Sequence, residues 1–324
     1  MGVTANTVQS YSSTTLKDDV QEALISISPT DTPFMSAIGT RNVDNTLFEW
    51  GEVTLTTAVA NNSVIEGESS PGNDAATLPK RLSNYTNLSD KVVEISSTAE
   101  ACDGVGDAES MAKQVAYKLK ELKRDMETMM LNNAAGNAGA SGTARVTAGL
   151  PAFIRTNASR GTGGAAPTLS GTTAGFPNAA ATDSSDGNKR AITETILKGV
   201  VADIWEAGGD PSIVLCGASN KQTISGFSGI NTQYADVEKR TSYQAIDFLV
   251  TDFGTLKVIP SRHVRARDVH IVSPDYARVA YLQTASQKPL AETGHSKRTL
   301  ISVEFGLQID SETAHGTVAD CTSS

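Results

Sequence analysis

Cysteine is scarce in this chain of 324 residues. The three present, Cys102, Cys216 and Cys321, are far apart and lack CxxC spacing. That argues against a disulfide framework and against structural zinc, and it points to folding in a reducing compartment. Aromatic residues make up only 5% of the chain, which suits extended structure and loops more than a large enzyme core. No apolar run approaches the length of a membrane span. The first 15 residues are polar and give no signal-peptide pattern. Met1-Gly2 begins like a myristoylation site, but position six is Asn6. The net charge is -9, with no basic block. Such a chain is a poor candidate for sequence-specific DNA binding, although it can line a DNA-filled space without gripping it.

What is present is one long amphipathic stretch. From Ala108 through Met111, Val115, Leu119, Leu122, Met126 and Met129 the apolar spacing alternates threes and fours. Lys113, Lys118, Lys120, Glu121, Lys123, Arg124, Asp125 and Glu127 fill the other face. The pattern predicts a helix from about Asp107 to Asn133, roughly 40 Å long at about 1.5 Å per residue. Asp107 suits the N-cap, and Asn132, Asn133 and Gly136 are stop signals. A coiled coil is the alternative, but the seam spans little more than three heptads. A spine laid across a sheet fits better.

Residues 1–45 read as an arm. A short helix is expected over Thr15–Ile27, followed by an extended segment around Pro29 and Pro33 with Phe34, Met35 and Ile38 as apolar anchors. Residues 46–98 read as one long projecting hairpin, with Phe48, Trp50, Val53 and Leu55 outgoing and Leu82–Ser97 returning. Residues 156–188 are low-complexity Gly/Ala/Ser/Thr with little to bury. Gly161-Thr162-Gly163-Gly164 there resembles half a phosphate loop but lacks the strand and helix around it. Residues 190–290 read as a compact α+β unit. It has a helix through Ile192, Ile196, Val200, Ile204 and Trp205, and a hairpin about Asp252-Phe253-Gly254. A long strand, Thr299–Ile309, is expected to return beneath the spine.

No catalytic constellation stands out. His263, His270, His295 and His315 lack HExxH spacing or a cysteine partner. Ser228, in Gly226-Phe227-Ser228-Gly229, misses the Gly-x-Ser-x-Gly elbow by one position. Asp18 with Asp19, and Asp203 with Glu206, read as solvated helix charge. The Asn-x-Ser/Thr matches at Asn61, Asn84, Asn87 and Asn157 read as chance, and Cys216 as an inert core thiol. The expectation is a non-enzyme with no cofactor and no metal.

Taken in order, these parts resemble the major capsid proteins of tailed bacteriophages, the Hong Kong 97 capsid fold. Ser28-Pro29-Thr30-Asp31-Thr32-Pro33-Phe34 is similar to an arm motif of one capsid subfamily. Asn84-Tyr85-Thr86-Asn87 and Val93–Glu100 resemble its hairpin return, and Lys120–Glu127 its spine. Leu290–Gly294 and Val303–Leu307 resemble its closing strands. The resemblance implies an α+β fold: N-terminal arm 1–45, extended β-hairpin loop 46–98, peripheral domain with spine helix 99–189, axial domain 190–290, and return strands 291–324. It implies self-assembly through hexamers and pentamers into an icosahedral shell in the virion, built in the host cytoplasm around double-stranded DNA. Portal, scaffold and decoration proteins are implied partners, and no membrane is. Phe34, Trp50, Lys80, Arg81 and Tyr85 are the expected intersubunit contacts. An encapsulin-like nanocompartment shell is the alternative. A fibre or adhesin suits the polar composition but not the spine.

Overall fold

The computed structural model describes residues 31–63, 65–67, 76–102, 110–168, 184–227, 248–292 and 294–322. The helix expected over Thr15–Ile27, Asp107, Ser228 and much of the low-complexity stretch lie outside them. A short helix, α1 (Pro33–Ala37), opens the described chain. Here the structure departs from the extended segment expected: Pro33 takes the first helical position, where its fixed φ and missing N–H cost nothing.

The spine is α3 (Met111–Leu131), 21 residues and about 31 Å. It follows α2 (Ser97–Ala101) and ends on Asn132, whose N–H reaches the Met129 carbonyl. Val115, Leu122 and Met126 are buried as the stripe requires, and Leu119 packs on their cluster. Two positions differ from expectation. Met130 is buried and Met129 exposed, because the last turns follow steps of four, from Leu122 through Met126 to Met130. Glu127, expected on the charged face, is fully buried.

The spine crosses a four-stranded sheet of order β1-β10-β11-β4. Its strands are β1 (Gly39–Asn42), β4 (Asn87–Ser96), β10 (Ala277–Pro289) and β11 (Ser296–Ile309). The strand expected to return beneath the spine is β11, antiparallel to both β10 and β4. Lys91 of β4 meets Asp125 of the spine at 2.7 Å.

The return limb expected for the hairpin divides at Thr86. Among the described residues β2 (Leu47–Glu52) pairs only with β3 (Lys80–Tyr85), whereas β4 joins the larger sheet. A ten-residue strand gains more by burying Val93 and Ser89 beneath the spine than by prolonging a two-stranded ribbon. The strand also stops at Glu52, so Val53 and Leu55 lie beyond it.

A second sheet has the order β5-β12-β9-β6-β8-β7. Its strands are β5 (Ala158–Ser159), β6 (Ile213–Cys216), β7 (Phe248–Thr251), β8 (Gly254–Pro260), β9 (Val269–Val272) and β12 (Gly316–Val318). β5 and β12 come from outside the unit read over 190–290. α4 (Leu150–Phe153) belongs to the spine's core, whereas α5 (Glu194–Glu206) supplies the second sheet's core; α6 (Ala218–Ser225) packs beside β8. Thr193 caps α5 by accepting from the Ile196 N–H at 3.3 Å. Trp205, expected on the apolar face of α5, is 56% exposed and tilts against Phe253.

Candidate assembly surface

The segment after Glu52, described over 53–63, 65–67 and 76–79, leaves a root that is firmly built. Phe48 stacks on Trp50 with ring centroids 5.7 Å apart, and Trp50 lies 6.4 Å from Phe153. Phe48 presses so closely on β11 that a Cβ at Gly306 would stand 2.6 Å from its ring. Asn84 is the polar hub. Its Nδ2 donates to the Leu307 carbonyl at 2.6 Å, and its Oδ1 accepts from the Ala148 and Tyr85 amides at 3.0 and 2.8 Å. Asn84 is fully buried, so it ties three segments together and presents no surface. Arg145 reaches the Thr86 carbonyl at 2.7 Å and pairs with Glu304. These bonds fix the direction in which the loop leaves.

Its described apolar side chains are largely open to solvent. Leu55, Val59, Ile65 and Leu78 are 80, 73, 75 and 79% exposed, and Val53 is exposed too. Exposed apolar side chains gathered on one segment make it the candidate contact surface. This was the signal sequence reasoning passed over, since Val53 and Leu55 read as strand residues.

The expected contact residues fall into two groups. Phe34 and Trp50 are buried within their own chain, so they serve its core. Lys80 and Arg81 are exposed at the loop root, Arg81 paired with Glu49, and Tyr85 is half-buried.

At the arm root, Glu127 accepts from the amides of Phe34 and Met35, each at 2.8 Å. Burial pushes its carboxyl above the usual range, and those two amides offset part of that. The next residue, Thr128, lies 2.9 Å from His263 Nδ1. The spine thereby holds the arm root on one turn and the second sheet's flank on the same turn.

The half phosphate loop holds an anion supplied by the chain itself. Gly161 and Gly187 amides donate to the Asp320 carboxylate at 2.9 and 3.0 Å, and Arg267 donates at 2.6 Å. A Cβ at Gly187 would stand 2.9 Å from Asp320 Oδ2. Burial alone would raise the Asp320 carboxyl; the amides and Arg267 outweigh it and hold it low. Arg265 grips Asp186 with two bonds of 2.7 Å, and Arg267 adds a third at 2.9 Å. The cluster is a clasp for the base of this loop.

His270 and His315 are fully buried, and burial lowers them to about 3 and about 4. They do not meet His263 in a hydrogen bond; His270 Nδ1 lies 3.1 Å from Thr317 Oγ1 and His315 Nδ1 accepts from the Ser273 amide at 3.4 Å. Burial pushes the Cys216 thiol to about 11. Among the described residues no group of three acidic, histidine or cysteine side chains is placed to hold a metal.

A family model described as the SU10 major capsid protein matches residues 3–322. The chain belongs to that family. Over 110 residues it is 36% identical to the major capsid protein of Escherichia phage Phieco32. That stretch is 34% of this chain and 31% of the phage protein, so the match spans about a third of the relative. The fold is that of the cyanophage A-1(L) capsid asymmetric unit, with a TM-score of 0.67 at 12% identity, covering 97% of this chain and 100% of that one. It is also that of the holo-SrpI encapsulin complex from Synechococcus elongatus PCC 7942, with a TM-score of 0.56 at 11% identity, covering 95% and 94%. This is the Hong Kong 97 capsid fold. As a capsid-family chain it is a structural protein.

Proposed function

We propose that copies of this chain assemble through hexamers and pentamers into the icosahedral head shell of a tailed bacteriophage, enclosing double-stranded DNA. The observation that carries this reading is the loop: Leu55, Val59, Ile65 and Leu78 are almost bare on a limb with a rigid root. Burying four such side chains in a neighbour is worth about 4–8 kcal/mol before the cost of ordering the loop. Contacts between unlike surfaces of successive copies make rings when the rotation closes. Lys80 and Arg81 stand at the loop root, where they can meet acidic groups of the next copy. Exposed pairs contribute only about 0–1 kcal/mol each, but a shell repeats them in every subunit. A net charge of -9 favours weak contact with the packaged genome. Host-cytoplasmic assembly, and portal, scaffold and decoration proteins, belong to the same reading.

Electron microscopy of the purified protein tests it. Closed shells are expected; fibres or small discrete particles would refute it. The encapsulin match favours a nanocompartment as the second reading. Double-stranded DNA inside native particles supports the phage head, and a protein cargo without DNA supports the compartment.

A further inference from the structure

The spine has one side that its own fold does not use. Along it Lys113, Tyr117, Lys120 and Arg124 follow at steps of four, three and four, and Lys123 stands exposed beside them. Residues so spaced share one side of a helix. The strip runs about 16 Å at about 1.5 Å per residue. The spine's three carboxylates are all engaged elsewhere. Glu121 pairs with Lys118 at 2.9 Å and Asp125 with Lys91 at 2.7 Å. Glu127, next along the strip, is covered by the arm root, whose Phe34 and Met35 amides it accepts. Among the described residues the side chains of Lys120, Lys123 and Arg124 make no ion pair.

Folding gains little from these bases. Cations favour the last turn of a helix, and the spine carries none there. Lys120 with Lys123 and Lys120 with Arg124 are like charges three and four apart, a spacing that disfavours a helix. The positive patch also widens beyond the spine. Arg262, which follows β8, is exposed. Burial first, and then the charges of Arg124 and Arg262, hold the His263 imidazole below its usual range, against the Asp31 carbonyl and Asp125. Both guanidinium groups therefore stand near one imidazole, itself 2.9 Å from Thr128 of the spine. On a chain of net charge -9 this is a local concentration of positive charge built from two elements. A duplex carries one phosphate per about 3.4 Å of each strand, so a strip of this length faces about five of them.

We infer that this side of the spine, with Arg262, faces the lumen of the shell and meets the phosphate backbone of the packaged double-stranded DNA. This rests on the reading that copies enclose DNA, and it names the residues that touch it. Phosphate contacts carry no sequence information, so the surface holds any duplex alike. The contact weakens with salt, because each neutralised phosphate releases counterions.

Lysine footprinting of wild-type native particles tests it without any variant that could misfold. DNA-filled particles, and the same particles emptied of DNA and treated with nuclease, are labelled with a small acetylating reagent and read by peptide mass spectrometry. Lys120 and Lys123 are expected to react at least fivefold more slowly in the filled particles. Lys257 and Lys288, exposed on β8 and β10, serve as references and are expected to change less than twofold. The protection of Lys120 and Lys123 should shrink as salt is raised from about 50 to about 200 mM. Equal protection in filled and emptied particles would mean that protein covers the strip, such as an acidic segment of a neighbouring copy, and would overturn the inference. Full reactivity in both would overturn it too, as would equal slowing at Lys257 and Lys288 or a protection indifferent to salt. Native particles that hold no DNA would refute the proposed function instead.

Discussion

Replacing Glu127 should loosen the arm root by an amount the geometry sets. Its carboxylate is fully buried and accepts two amide bonds of 2.8 Å, from Phe34 and Met35. Glu127→Ala strands both donors, and a buried unpaired donor costs about 1–3 kcal/mol. A total of about 3 kcal/mol is expected. At about 2.1 cal/mol/K per residue, the unfolding entropy of a chain this long is about 0.7 kcal/mol/K, so the midpoint should fall by roughly 4 °C. Glu127→Gln keeps one acceptor and should lose less. The pH dependence separates charge from shape. Burial raises the Glu127 carboxyl above its ordinary 4.5, so the folded chain keeps a proton that the unfolded chain releases. Its contribution is therefore fully present below 4.5 and is lost as pH rises through the folded value. The wild-type advantage over Glu127→Gln should shrink as pH rises from 4 to 8 in thermal melts of unassembled subunits. A flat difference, or an alanine variant within 0.5 °C of wild type, would refute the reasoning.

Leu122→Asp places a charge in the spine's buried seam and should cost several kcal/mol, while Lys118→Ala removes only a partly exposed pair with Glu121 and should be near neutral; soluble yield and melting temperature of the two compare the faces directly. Replacing residues 61–79 with a short Gly/Ser turn should leave a folded protein by circular dichroism that no longer sediments as shells. His315 is neutral when folded, lowered to about 4 from 6.5, so the unfolded chain takes up the extra proton and stability is lost as pH falls from 6.5 towards 4. His315→Gln should therefore gain on wild type over that range, by up to about 1.4 kcal/mol per pH unit, in urea melts at stepped pH.

The spine, its return strand and the hairpin at Asp252-Phe253-Gly254 were legible because period and turn chemistry are local properties. Glu127 was not. A carboxylate among lysines on a helix reads as solvated charge, and its partners stand 92 and 93 residues away. Asn84 hid for the same reason: a buried amide that joins β3, Ala148 and β11 looks, in sequence, like a surface sequon. The Asp320 clasp was half visible. The glycine run announced an anion cradle, but nothing local announced that the anion arrives from the chain itself, 159 residues later. The hairpin was read too long because β-propensity continues through Thr86, whereas pairing is decided by which neighbour buries more.

β12 enters the second sheet between β5 and β9, so this sheet joins strands whose paired residues are 159 apart in sequence. Residues 190–290 are consequently not a portable module. Cut out alone, they would expose the flank of β9 where β12 belongs and would forfeit the Arg267–Asp320 bond. Pairing over such a separation is slow to form. The second sheet is therefore complete only once Gly316–Val318, from the far end of the chain, lies beside both β9 and β5.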